Sequence, residues 1–334
     1  QRNGYYLING SLDGNEGATL RIVAAEGEGH RPVLIGVADE SGESSRLFRV
    51  YTDAFWQGIH LSGIDNLGNQ AGKNTMRLEK EGGRYEIDDV VIDGDAQCPI
   101  RIDADEISLF ITNSQFSNNY LLSDPANGRV IDTRGNLTDT LFVQNSTFFV
   151  NTHDIVRNGG GIVKYFVWDH ITLDKAGAWH SQLEAERNIY CQFSNSVIMN
   201  YAFEGREFWV EDSTGAVLAL IDSLDAPELA TEEEREYQWI NNVRGYSDDV
   251  KAWIDAQDSL MIAPWMDPAG EIMWANGEQF VFENNIEENV EFTDAPANDK
   301  IIAFAQHRLD TDQSDVDNPD IRADKNGVST LQDD

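Results

Sequence analysis

The chain has 334 residues, 59 of them acidic and 24 basic, for a formal net charge of −35. So anionic a surface repels nucleic acid and anionic lipid while tolerating high salt, which argues against a nucleic-acid partner. Hydrophobic residues make up 41% of the chain, ample for a core, yet no run approaches the ~18 apolar residues of a membrane-crossing helix.

Taken in order, residues 1–36 carry three short apolar stretches: Tyr5-Tyr-Leu-Ile-Asn-Gly-Ser-Leu12, Ala18-Thr-Leu-Arg-Ile22 and Arg31-Pro-Val-Leu-Ile-Gly36. They are expected to form a first coil and its cap, with Tyr5, Tyr6, Leu20 and Ile22 supplying core. Residues 37–48 are polar and read as a loop, and strands resume at Phe48-Arg-Val-Tyr51, Gly58-Ile-His-Leu61 and Asn74-Thr-Met-Arg-Leu78.

A regular pattern then runs over residues 85–200. It repeats one phrase: Leu109-Phe-Ile-Thr-Asn113-Ser-Gln-Phe116, Leu141-Phe-Val-Gln-Asn145-Ser-Thr-Phe148, Tyr165-Phe-Val-Trp-Asp169-His-Ile-Thr172 and Cys191-Gln-Phe-Ser-Asn195-Ser-Val-Ile198. Spacings of 32, 24 and 26 residues are too short for a βαβ unit with its helix and suit one turn of a stacked solenoid. Aligned on the Asn or Asp, the second residue before it reads Ile111, Val143, Val167, Phe193 and the fourth reads Leu109, Leu141, Tyr165, Cys191. Strand side chains alternate, so both columns are expected to face the core. Asp89-Val-Val-Ile-Asp93, Tyr237-Gln-Trp-Ile-Asn241 and Phe280-Val-Phe-Glu-Asn284 fit the same register. The turn column Asn113, Asn145, Asp169 and Asn195 is read as a structural ladder, because a bend between strands needs a residue that tolerates left-handed geometry and can hydrogen-bond its neighbours.

These phrases, with the opening stretches, resemble the right-handed parallel β-helix proteins of the pectin-lyase-like superfamily, in particular secreted bacterial members of unassigned function. The resemblance covers most of residues 5–290. It implies an all-β solenoid, an extracellular location with a signal peptide removed ahead of Gln1, and no single activity, since the superfamily holds lyases, hydrolases, adhesins and tail spikes.

The expected organisation is therefore one β-helix domain over residues 1–309, with short helical or looped insertions at 222–236 and 248–275, and a polar acidic tail at 310–334. Val250, Trp253 and Ile254 sit at helical spacing within 248–257. In the tail, Asp310, Asp312, Asp315, Asp317 and Asp320 crowd together but depart from the EF-hand pattern, leaving calcium as an opportunistic ligand and no firm cofactor. Cys191 falls in an inward column and is expected to be a buried free thiol.

Two functional readings remain. Phe110, Phe142 and Phe166 occupy the third position before the turn, expected to face outward as a continuous apolar stripe; such stripes mark a partner or a ligand, and copies of the same chain are the expected partner. The reading preferred is a secreted structural or interaction protein that self-associates into oligomers or filaments. The alternative is a polysaccharide lyase or binding module for uronic-acid glycans, with Arg134 and Arg157 stacked on neighbouring coils to neutralise a carboxylate and Lys164 or His170 as base.

Overall fold

A computed structural model describes residues 2–14, 17–42, 44, 46–70, 74–120, 128–157, 161–180, 190–201, 236–256, 279–293 and 297–310. The chain winds as a parallel β-solenoid. Its first coil is β1 (Tyr5–Ile8), β2 (Leu12–Gly14) and β3 (Leu20–Val23), and its second β4 (Val33–Gly36), β5 (Phe48–Val50) and β6 (Ala54–Gln57). Next come β7 (His60–Ser62), β8 (Met76–Leu78) and β9 (Arg84–Asp88), then β10 (Val91–Asp93), β11 (Ile100–Ile102) and β12 (Ile107–Thr112), then β13 (Gln115–Asn119), β14 (Ile131–Asp132) and β15 (Thr138–Gln144). In the following coils the first two strands fuse, as β16 (Thr147–Arg157) before β17 (Val163–Asp169) and β18 (Thr172–His180) before β19 (Tyr190–Ser194). The series ends with β20 (Val197–Tyr201), β21 (Glu236–Ile240), β22 (Val243–Gly245), β23 (Gln279–Glu283) and β24 (Ile286–Glu287).

Each strand pairs in parallel with its counterpart one coil away, so the third strands form a nine-stranded sheet and the first and second strands the two arms of a 15-stranded sheet. Like therefore stacks on like. On the first strands the inward column is Leu34, Leu61, Ile92, Phe116, Phe148, Leu173 and Ile198; on the second it is Phe48, Met76, Ile100, Ile131 and Val156. All of them lie in one continuous buried core. Each such side chain withdrawn from water contributes ~1.5–3 kcal/mol. Rings also stack along the axis, Phe116 on Phe148 at 5.0 Å and Phe193 on Trp239 at 4.7 Å between centroids.

The Asn-Ser phrase divides its work between two ladders. The Asn takes the left-handed turn, with φ of 53° at Asn113, 50° at Asn145 and 54° at Asn195. Its side chain hydrogen-bonds along the stack: Asn145 Nδ2 donates to Asn113 Oδ1 at 3.4 Å, and Asn241 and Asn284 each donate to the preceding member at 3.1 Å. The Ser turns inward. Ser114 Oγ accepts from Val90 N, Ser146 Oγ from Ser114 N and Ser196 Oγ from Ile171 N, satisfying buried turn amides that no strand pairing reaches.

The expected register fails at one strand. β17 pairs Leu141 with Phe166, Val143 with Trp168 and Gln144 with Asp169, so the ladder position beside Asn145 belongs to His170, at φ 55°. Phe166 and Trp168 are fully buried, while Tyr165 is 44% exposed. Both parities of Tyr-Phe-Val-Trp are apolar, and a one-residue slip exchanges the faces. The observed choice buries the two larger inward candidates together, Phe166 edge-on to Trp168 at 5.6 Å.

The expected helix at 248–257 is present as α1 (Asp248–Asp255), with Val250 and Ile254 buried. A second helix, α2 (Asp299–Asp310), follows β24 and buries Ile301, Phe304 and Ala305. Most of the 222–236 insertion, the 257–275 part of the other, and the tail beyond Asp310 lie outside the described residues.

Candidate functional site

The two ends of the solenoid differ. At the first coil each strand has a neighbour on one side only: β1 pairs with β4, β2 with β5 and β3 with β6. Tyr5 and Tyr6, expected in the core, are exposed there, with Leu7 62%, Tyr5 60%, and Leu12 and Val23 also open; Leu20 and Ile22 pack partly against the core. The reason is positional. Tyr6 and Leu12, which head the inward columns of Leu34 and Phe48, have a coil on one side only and nothing in the described residues covers the other, whereas Tyr5, Leu7 and Val23 have the outward parity, paired with Val33, Ile35 and Gln57. The charge of this region is also unlike the rest: residues 1–36 hold the basic Arg2, Arg21 and Arg31 against the acidic Asp13, Glu16, Glu26 and Glu28, on a chain of −35. Towards the other end, α1 follows β22 where earlier coils have a second strand, and α2 packs with it, Trp253 Nε1 donating to Gln306 Oε1 at 2.9 Å.

The aromatic stripe is shorter than expected. Phe110 and Phe142 are outward neighbours with centroids 6.1 Å apart, and the Arg84 guanidinium lies 4.1 Å above the Phe110 ring. Val167 takes the third place and Phe166 is inside.

The two base candidates for lyase chemistry lie apart. His170 is at the turn after β17 and Lys164 near its start, six residues away, or ~20 Å at 3.3 Å per residue. Lys164 Nζ faces Asp139 at 3.6 Å and His170 Nδ1 faces Asp169 at 2.9 Å. Arg157 pairs in register with Asp132, and Arg134 sits two residues beyond that position in a left-handed turn, φ 58°, so the two arginines do not share a column. Asp169 is occupied structurally: burial would raise its pKa, but hydrogen bonds from Gln144, Asn195, His170 and Ser194 overcome this and hold it down at about 2. Among the described residues no group of three or more His, Cys, Asp or Glu could hold a metal ion, and of the acidic tail positions only Asp310, exposed at the end of α2, is described. Cys98 and Cys191 are both buried thiols.

Sequence reasoning missed one alignment. The middle residues of β5, β8 and β11 are Arg49, Arg77 and Arg101, paired coil to coil on the outer face, between Asp13 on one side and Asp132 on the other. The signal was an arginine between two apolar residues, in Phe48-Arg-Val50, Met76-Arg-Leu78 and Ile100-Arg-Ile102. Arg49 Nε donates to Glu79 at 3.0 and 3.1 Å, Arg77 Nε contacts Glu79 at 2.6 Å and Asp103, and Arg101 Nε donates to Asp103 at 2.9 Å. A cleft of about 540 Å³ near the C-terminal coils is lined by Arg244, Asp248, Lys251 and Glu287, with Arg244 bonded across it to Glu287 at 2.5 Å.

Fold and surfaces together define a parallel β-solenoid. In comparisons with known proteins, no family model, curated protein or solved structure matches the chain.

Proposed function

We propose that this chain is an interaction protein that pairs with a second copy of itself through its uncovered first coil. The observation that carries this reading is the uncovered first coil, where Tyr6 and Leu12 of the inward columns and Tyr5, Leu7 and Val23 of the outer face are exposed together, in a region close to charge balance on an otherwise strongly acidic molecule. Unpaired strand edges beside exposed apolar side chains are a template for association, and the low local charge makes this the surface on which two copies meet with least repulsion. Two identical ends meeting give an isologous contact that closes after two copies, so the product is a dimer rather than a filament. The acidic remainder suits a medium of high ionic strength, which supports placing the protein outside the cell. A lyase reading has less support, since the two arginines do not share a column and Lys164 and His170 each face a carboxylate, Asp139 and Asp169.

Sedimentation or light scattering from micromolar to near-millimolar protein tests the reading. Dimers are expected, strengthened in molar salt as repulsion is screened, and lost in the double substitution Leu7→Asp and Val23→Asp, which touches exposed positions and leaves the coil folded. A monomer at every concentration and salt, or a dimer indifferent to that substitution, overturns it.

A further inference from the structure

Where β18 and β20 stack, three polar side chains meet in the interior and a fourth reaches them from the next coil, far along the chain from the end that the pairing reading uses and independent of it. The two strands run in register from Thr172 beside Val197 to Ala176 beside Tyr201, which sets Lys175 beside Asn200, each in a left-handed bend with φ of 58° and 49°. Asp174, Lys175 and Asn200 are 4, 2 and 4% exposed. One carboxylate joins the other two groups: Lys175 Nζ donates to Asp174 Oδ2, and Asn200 Nδ2 donates to Asp174 Oδ1 at 2.9 Å. The Asn200 amide oxygen accepts two hydrogen bonds in turn, from Ser247 N at 2.9 Å and Ser247 Oγ at 2.7 Å. Asn298 Nδ2 donates to that same Oγ at 3.0 Å, which leaves its hydrogen for Asn200. An Asp–Asn bridge between coils is by itself structural, since Asp93 Oδ1 accepts from Asn118 Nδ2 in the same way at 2.9 Å. There the residue after the aspartate is Gly94, which brings no amine. Lysine is rarely buried, and Asp174 is the one partner of the Lys175 ammonium among the described residues.

We propose that Lys175 and Asn200 join in an intramolecular isopeptide bond, formed by the protein itself with Asp174 as proton carrier. The ammonium passes one proton along its hydrogen bond to Asp174, and the neutral amine attacks Asn200 Cγ. As the Nζ–Cγ bond forms, the carbonyl electron pair moves onto Oδ1, where the two Ser247 donors already lie at oxyanion-hole distances. Asp174 then gives its proton to Nδ2 and takes the second proton from Nζ. The Cγ–Nδ2 bond breaks, and ammonia departs with that last proton as ammonium. One amide replaces another, nothing is oxidised or reduced, and Asp174 ends as the carboxylate it was. Burial favours this chemistry in two ways: it keeps water from competing with the amine, and it withdraws the solvent that would stabilise the starting ion pair. The reacting groups are already held side by side by strand pairing, so no encounter has to be arranged. The product fastens β18 to β20 with a link that unfolding does not break.

Tandem mass spectrometry of the full chain, denatured and digested with trypsin, tests this. Trypsin cuts after Lys164, Arg187 and Arg206 but not after an acylated lysine, so residues 165–187 should be recovered uncut at Lys175 and joined to residues 188–206. The expected mass is the sum of the two peptides less one ammonia. The link has to be located in this way, because an N-terminal glutamine also releases ammonia on cyclising and the intact mass does not separate the two. Lys175→Met and Asn200→Ala should give no joined peptide. Asp174→Asn keeps the size of the side chain and removes the proton carrier, so the peptides should stay separate while circular dichroism matches the wild type. Ser247→Ala should slow linkage roughly tenfold or more, read as the joined fraction against time after cell-free synthesis. A wild-type digest cut at Lys175, with residues 188–206 recovered alone, overturns the proposal and needs no variant to fold. A joined peptide lighter by water instead of ammonia, which places the link on a carboxylate, or a link undiminished in Asp174→Asn, overturns it as well.

Discussion

Replacing Phe166 by Ala should cost far more than replacing Phe142 by Ala, although the two occupy the same place in the repeated phrase. Phe166 is fully buried, shares the inward column with Leu141 and Cys191, and meets Trp168 edge-on at 5.6 Å. Truncation there removes a whole ring from a packed interior, a loss of ~3–5 kcal/mol that includes the cavity left behind. Phe142 faces outward, half-buried, touching Phe110 across a tilted contact, and its truncation should cost ~0.5–1.5 kcal/mol. Urea unfolding followed by tryptophan fluorescence reads the difference directly, because Trp56, Trp168 and Trp239 are fully buried. Midpoints are the quantity to compare, since coils of a solenoid need not unfold as one unit. Equal shifts for the two variants, or a larger shift for Phe142→Ala, would refute the register assigned to β17.

Asn145→Val should destabilise by ~1–3 kcal/mol and Asn145→Gly by much less, because the backbone there is left-handed at φ 50°; urea midpoints of the two variants check this. His60 is fully buried with both ring nitrogens unpartnered, and burial, with Arg31 nearby, lowers its pKa to about 3. Between about 3 and the ordinary 6.5 the unfolded chain therefore binds a proton that the folded chain refuses, so stability falls as pH drops through this window. His60→Leu should remove that loss, a gain of ~2 kcal/mol at pH 5 relative to neutral pH, seen as a smaller acid shift of the melting temperature. Asp169 has the opposite standing, with its pKa depressed to about 2: its stabilising contribution is complete above ~4 and is lost as pH falls through about 2, so Asp169→Asn should flatten the most acidic part of the stability profile. Incubation with alginate, pectate or chondroitin should give no unsaturated ends absorbing in the ultraviolet; product formation that disappears in Lys164→Ala would reverse the ranking of the two functional readings.

Local chemistry was legible wherever a single residue has one workable place. A left-handed turn favours Asn, so Asn113, Asn145 and Asn195 mark the coil boundary in the sequence itself, and the recurrence of an apolar residue at every second place, as at Ile107, Leu109 and Ile111, points to the inward face. The same logic located α1, whose Val250 and Ile254 lie one turn apart. What the sequence left open was decided by neighbours. In β17 both parities are apolar, and only the fit of Phe166 against Leu141 and Trp168 against Val143 selects one of them, placing His170 rather than Asp169 in the turn. Tyr6 heads the inward column of Leu34 and is exposed because its coil has a neighbour on one side only. Arg49, Arg77 and Arg101 are separated by connections of different length and composition, so nothing in the linear order joins them. Parallel stacking brings them into one column, since hydrogen bonding between coils fixes lateral register however much chain loops out in between.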